Sequence, residues 1–196
     1  MTDRQTIDVY NARAEEYGQL DASDSPSDSL VAFMEGLPER GHVLDLGCGP
    51  GTSCRHMVRA GLIVDAMDAS PEMTALTARI EGVAAWTASF DDLDAVQRYD
   101  GIWANFSLLH APRADMPRHL AAIHTALKPN GRFHIAVKEG TGEARDRLGR
   151  RYAYYTVSEM TALLHIHGFR TGDVRQGRDR GLDGSMAAWF SILSYA

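Results

Sequence analysis

Short apolar runs alternate with amphipathic stretches along the 196 residues, the pattern of a parallel sheet covered by helices. Residues 3–17 space their apolar positions as one helix; the polar segment GQLDASDSPSDS reads as a linker, and a second helix covers about 28–36. HVLDLG (42–47) is a buried strand stopped by the glycine-rich CGPG, a helix follows over 50–60, and LIVDAMD (62–68) is the next strand. Ser70 before Pro71 predicts a capped helix start, with the helix running to about Glu81. Strands follow at 83–88 and 101–105, then a helix from Asp115 to Leu127 that ends at KPNG, and a strand at 132–138. Residues 139–155 form an arginine-rich loop, Thr156-Val-Ser-Glu159 has capping-box spacing for a helix ending at Gly168, and FRTGDVRQ and MAAWFSIL pair around GRDRGLDG as an antiparallel hairpin. The expected fold class is α/β, a Rossmann-like, mostly parallel sheet of seven strands with helices on both faces and an antiparallel last strand. The whole chain, 1–196, reads as one domain, in an N-terminal helical segment (1–40), a strand–helix half (41–138) and a closing half with the hairpin (139–196).

Composition changes the picture mainly by exclusion. Apolar runs stay far below the roughly 20 residues of a membrane span, and the first ten residues lack the apolar stretch of a signal peptide. Cys48 and Cys54 lie six apart and supply neither a disulfide framework nor a zinc set, which points to the cytoplasm. The histidine spacings hold no metal set either. A net charge of −6 argues against a protein that coats nucleic acid. The charge is uneven, −10 over residues 1–127 and +5 over 128–180, and 18 of the 20 basic residues are arginine. Compositional bias accounts for that, or a basic region that faces an anionic substrate.

The most specific segment is Val43-Leu-Asp-Leu-Gly-Cys-Gly-Pro-Gly-Thr52, a strand feeding a turn with glycine at 47, 49 and 51 and then a helix. Such glycines let the backbone approach a ligand, and the helix start offers free N–H groups. Thr52 stands where a dinucleotide fingerprint would place its last glycine. Asp45, two residues before the first glycine, would repel a phosphate and suits a ligand with an ammonium and no pyrophosphate. Asp68 follows Gly51 by 17 residues at the tip of the neighbouring strand, where it can accept both hydroxyls of a ribose.

The run VLDLGCGPG…DAMDASPEM…SFDDLDAVQRYDGIWANFSLLHAP…ALKPNGRF…HGF resembles class I S-adenosylmethionine-dependent methyltransferases over about residues 40–170. Its spacing is similar, more narrowly, to small bacterial methyltransferases associated with tellurite resistance. The resemblance implies S-adenosyl-L-methionine as cofactor and a small-molecule methyl acceptor as partner, in a monomer or homodimer. Asp45, Gly47, Cys48 and Gly49 would lie at the cofactor's amino-acid end, Asp68 at its ribose, Ala69 and Met73 on its adenine. Ser89-Phe90-Asp91 stands where relatives place an acid for the adenine amine; Ser89 replaces that acid, so either its hydroxyl serves or Asp91 reaches back. Asn105 and Phe106, with Ser107, would line the methyl-transfer pocket, and Tyr10 and Tyr17 match a first helix that closes over the cofactor.

The remaining candidates carry two readings each. Tyr10 and Tyr17 share a helical face and either pack on the sheet or meet the cofactor. His110 either takes a proton from a hydroxyl acceptor or bonds a neighbouring loop. Trp86, Trp103 and Trp189 read as core. In the arginine-rich segment, Lys138, Arg150, Arg151, Tyr152 and Tyr154 either wall an anion-binding acceptor site or face solvent. An NAD(P)-linked oxidoreductase and a non-catalytic S-adenosylmethionine-binding regulator are the rival functions.

Overall fold

The computed structural model describes residues 3–20, 24–181 and 183–196. Residues 21–23 of the linker and Leu182 of the hairpin turn lie outside the described residues. The sheet is built from β1 (His42–Leu46), β2 (Ile63–Asp68), β3 (Val83–Thr87), β4 (Tyr99–Asn105), β5 (Leu127–Lys138), β8 (Arg170–Arg180) and β9 (Met186–Tyr195), in the order β3-β2-β1-β4-β5-β9-β8. Only β9 runs against its neighbours, antiparallel to both β5 and β8. The expected fold class is therefore the observed one.

Alternation along β1 assigns its side chains to the two faces. Leu44 and Leu46 join one buried layer, with Leu120 and Ile123 of α6 (Met116–Ala126) and Met160 of α7 (Val157–Ile166). Val43 joins the other, with Phe33 of α3 (Asp28–Glu35) and Cys54 and Met57 of α4 (Thr52–Arg59). Both faces of the central strands are covered, as parallel strands require. Helix α5 (Pro71–Thr77) starts as expected: the Ser70 hydroxyl accepts from Met73 N at 3.2 Å, and Pro71 fills the first position.

Five expectations need correction. The helix 3–17 is two, α1 (Arg4–Ala12) and α2 (Ala14–Leu20), broken at Arg13, which leaves helical geometry without any proline or glycine to announce it. KPNG does not separate the helix from the strand but lies inside β5: Asn130 takes a left-handed φ of 63° and forms an irregularity there, where Tyr99 faces Leu127 but Gly101 faces Arg132. The arginine-rich loop contains a small antiparallel pair, β6 (Glu143–Arg145) and β7 (Arg151–Ala153). The closing hairpin takes Gly177–Arg180 into its strands. Of the three tryptophans only Trp103 is core, stacked on His134 at 3.7 Å; Trp86 lies 38% exposed on the edge strand, and Trp189 faces a cavity.

Candidate active site

Two adjoining cavities open at the C-terminal ends of the strands. The first, about 840 Å³ counting its mouth, runs from the glycine turn past Asp68, Ala69 and Met73 to Phe90 and Asp91, with Asn105, Phe106 and His110 opposite. The turn has the backbone its sequence demands. Gly47 has φ 80°, and a Cβ there would fall 2.3 Å from that of Ser107. Gly49 has φ 53° and open space on its Cβ side, the nearest atom being on the Tyr17 ring at 4.0 Å, so a ligand can lie against this backbone. Asp68 shapes the turn: its carboxylate accepts from Gly49 N at 2.9 Å and from Ser70 N at 2.8 Å. Burial raises its pKa against the pull of these bonds.

Some predicted residues sit elsewhere. Asp45 is buried beneath the turn, on the α4 face, where its carboxylate accepts from the Cys54 thiol at 3.1 Å; it does not line the cavity. Cys48 also points inward, toward Thr77, and burial together with Asp45 pushes its thiol pKa up. Ser89 is engaged in capping: its hydroxyl donates to Asp92 at 2.7 Å, and Asp92 accepts from its N–H at 2.8 Å. Of the two alternatives at this position, Asp91 is the one on the wall, paired with Arg118 at 2.7 Å.

Helix α1 covers the first cavity with Asp3, Thr6, Ile7 and Tyr10. Asp3 caps the helix through Thr6 and takes Arg145 on both oxygens, at 2.8 and 2.9 Å, which holds its carboxyl far below the usual range. Thr6 Oγ1 accepts from Arg151 N, and Ser70 Oγ donates to Asn11 at 2.6 Å. These contacts tie α1 to the β6–β7 hairpin on one side and to α5 on the other.

Tyr10 stands at the centre. The carbonyl of Arg151 can only accept, so Nδ1 of His110, 2.6 Å away, carries the hydrogen. Nε2 then accepts from the Tyr10 hydroxyl at 2.8 Å, and the Tyr10 oxygen accepts from Arg150 Nη1 at 3.0 Å. Arg150, 2% exposed, also donates from Nε and Nη2 to Asp146, at 2.9 and 2.7 Å. Burial depresses the His110 pKa to about 4, so the ring is neutral near pH 7. Both ring nitrogens are engaged, which corrects the expectation of a base open to the acceptor: His110 bonds the neighbouring elements, as the blander reading had it.

The second cavity shares Tyr10, Tyr17 and Phe106 with the first and continues to Lys138, Arg150, Tyr152, Asp179, Arg180 and Trp189. Phe106 reaches this junction from a left-handed φ of 55°, a conformation that non-glycine residues adopt rarely. Lys138 Nζ lies 3.8 Å from the centre of the Tyr152 ring. Arg151 and Tyr154 do not line this cavity: Arg151 faces Glu143 at 3.8 Å, and Tyr154 sits behind Gly140 with its carbonyl accepting from Arg113. Sequence reasoning missed Arg180 and Trp189, which the hairpin brings in from more than 40 residues past Lys138.

A methyltransferase domain profile matches residues 19–171. The chain belongs to the methyltransferase domain family. Within it the class is that of the class I S-adenosylmethionine-dependent methyltransferases, whose cofactor is S-adenosylmethionine. Trans-aconitate 2-methyltransferase of Mycobacterium tuberculosis is 37% identical over 79 residues, 39% of this chain and 30% of that one. The ubiquinone biosynthesis O-methyltransferase of Xanthomonas axonopodis pv. citri is 30% identical over 154 residues, 70% of this chain and 62% of that one. This methyltransferase-domain chain thus spans between about a third and two thirds of these curated relatives. Among solved structures, 1,6-didemethyltoxoflavin-N1-methyltransferase of Burkholderia thailandensis, with 1,6-didemethyltoxoflavin and S-adenosylhomocysteine bound, shares the fold at a TM-score of 0.78 and 24% identity, over 97% of this chain and 87% of that one.

Proposed function

We propose that the protein transfers a methyl group from S-adenosylmethionine to a small molecule, with the first cavity taking the cofactor and the second the acceptor. The observation that carries this reading is the junction: two cavities of different chemistry meet at Tyr10, Tyr17 and Phe106, one walled by the glycine turn and a half-buried carboxylate, the other by aromatics and cations. The first cavity fits the cofactor, because Gly49 leaves its backbone uncovered and Asp68 presents acceptor oxygens beside it. Gly47 and Gly49 would hold the amino-acid part, Asp68 the ribose, and Ala69, Met73, Phe90 and Asp91 the adenine. Asp45 and Cys48 would support the turn from beneath.

When bound, the cofactor supplies an already activated methyl, so alignment does most of the catalytic work. Asn105 and Phe106 would position the acceptor's nucleophile at the junction, and Tyr10 and Tyr17 would exclude water above it. His110 acts here through Tyr10, by holding its hydroxyl. Of the N-terminal segment, α1 and α2 serve as the lid while α3 packs against the sheet; residues 41–138 serve as the cofactor half and 139–196 as the acceptor half of one domain. We place the protein in the cytoplasm as a monomer or homodimer, without nucleic acid or membrane. The acidic net charge supports this, as does the lack, among the described residues, of any helix long and apolar enough to cross a membrane. The test is release of S-adenosylhomocysteine from S-adenosylmethionine in an acceptor screen. Turnover with at least one small acceptor is expected, and cofactor binding without turnover across the screen would favour the regulator.

A further inference from the structure

The charged groups of the second cavity are not equally available. Arg150 is neutralised by Asp146, and its Nη1 holds Tyr10. Arg151 lies outside the cavity. Asp179 accepts from the Trp189 indole at 2.6 Å, and Asp183 accepts from both the N–H and the hydroxyl of Ser185. Among the described residues, Lys138 and Arg180 form no ion pair within 4 Å, and Asp183 and Asp146 act on Lys138 only at longer range, through their charge. Arg180 is exposed at the mouth, whereas Lys138 is partly buried with its ammonium over the Tyr152 ring.

The apolar walls are equally specific. Phe106 and Trp189 meet edge to face at 5.9 Å, Tyr10 and Tyr17 at 5.8 Å, and Tyr152 closes the side beneath Lys138. The Tyr10 hydroxyl and the Trp189 N–H are already bonded, so these two side chains offer the acceptor ring surface rather than free donors. Rings prefer other π-systems in offset or edge contacts.

We infer that the acceptor is a flat, conjugated acid whose anionic group is taken by Lys138. The arginines then play different parts: Arg150 holds the wall together, and Arg180 attracts the anion at the entrance. Burial lowers the Lys138 pKa, a penalty that a bound anion would offset. This inference rests on the acceptor role given above to the second cavity.

The test measures binding to the protein loaded with S-adenosylhomocysteine, using hydroxybenzoates and hydroxycinnamates, their amides, and the matching cyclohexane carboxylates. The planar acids should bind at least about tenfold tighter than either control set, which corresponds to ~1.4 kcal/mol. Lys138→Gln should erase the preference over amides, Lys138→Arg should keep most of it, and S-adenosylhomocysteine affinity should stay within about twofold, which also shows that the variants fold. Parity of acids with amides or with saturated acids, a preference that survives Lys138→Gln, or no acid binding at millimolar concentration would each overturn the inference. In any of these cases, retained S-adenosylhomocysteine binding leaves the methyltransferase reading standing. A wild-type protein that does not bind S-adenosylhomocysteine removes both.

Discussion

The two cavities are built by opposite means. The cofactor side is mostly backbone: left-handed glycines, a strand end and a helix cap, steadied by one carboxylate within 20 residues of the turn. The acceptor side rests on a chain of side chains drawn from distant segments, in which Asp146, Arg150, Tyr10 and, at the wall shared with the first cavity, His110 each depend on the next. A backbone site loses affinity when altered and keeps its fold; a buried polar chain loses stability first.

The largest effect should therefore fall on the acceptor side. Arg150→Gln leaves Asp146 buried without its partner, and breaking such a pair costs about 3–5 kcal/mol. Urea unfolding should show that loss, and a variant as stable as the wild type would break the contrast. Acid should act on the same chain. His110 is neutral in the fold with a pKa of about 4, while the unfolded chain binds its proton near 6.5. The unfolded state thus holds more protons between those values, and stability falls as pH drops from 6.5 toward 4, by roughly 3 kcal/mol for this group. The stability difference between wild type and His110→Gln, followed across that range, isolates it from Asp68, whose raised pKa acts in the opposite sense. A difference that does not change with pH would mean His110 is not held neutral.

Changes on the cofactor side should spare stability by comparison. Gly49→Val puts a branched side chain into the open space beside the turn, at a φ that valine avoids. Affinity for S-adenosylhomocysteine should drop at least about a hundredfold, or ~2.7 kcal/mol. Asp68→Ala removes the acceptor oxygens while leaving the cavity open, so a smaller loss of about tenfold or more is expected, in line with ~1.5–3 kcal/mol for bonds to a charged group. Calorimetry checks both, and wild-type affinity in either variant would displace the cofactor from this cavity.

The same contrast explains what the sequence disclosed. Asp45 to Thr52 is contiguous, and each glycine has a conformational reason, so the turn, the neighbouring Asp68 and the sheet around them were legible. Side-chain direction was not: Asp45 lies beneath the turn, and the Ser89 hydroxyl is spent on a capping bond while Asp91 lines the cavity. On the acceptor side, strands β6 and β7 have three residues each, too few for periodicity to register. Arg150 finds its partners 4 and 140 residues away, and nothing in the arginine-rich segment distinguishes the arginine that is paired in direct contact from those that are not.

The central claim is that the first cavity is made for S-adenosylmethionine and not for a dinucleotide. Parallel calorimetric titrations of the wild-type protein with S-adenosylhomocysteine and with NAD test it most directly. The account predicts one saturable site for S-adenosylhomocysteine and no heat of binding for NAD; saturation by NAD, with S-adenosylhomocysteine inert, would contradict it.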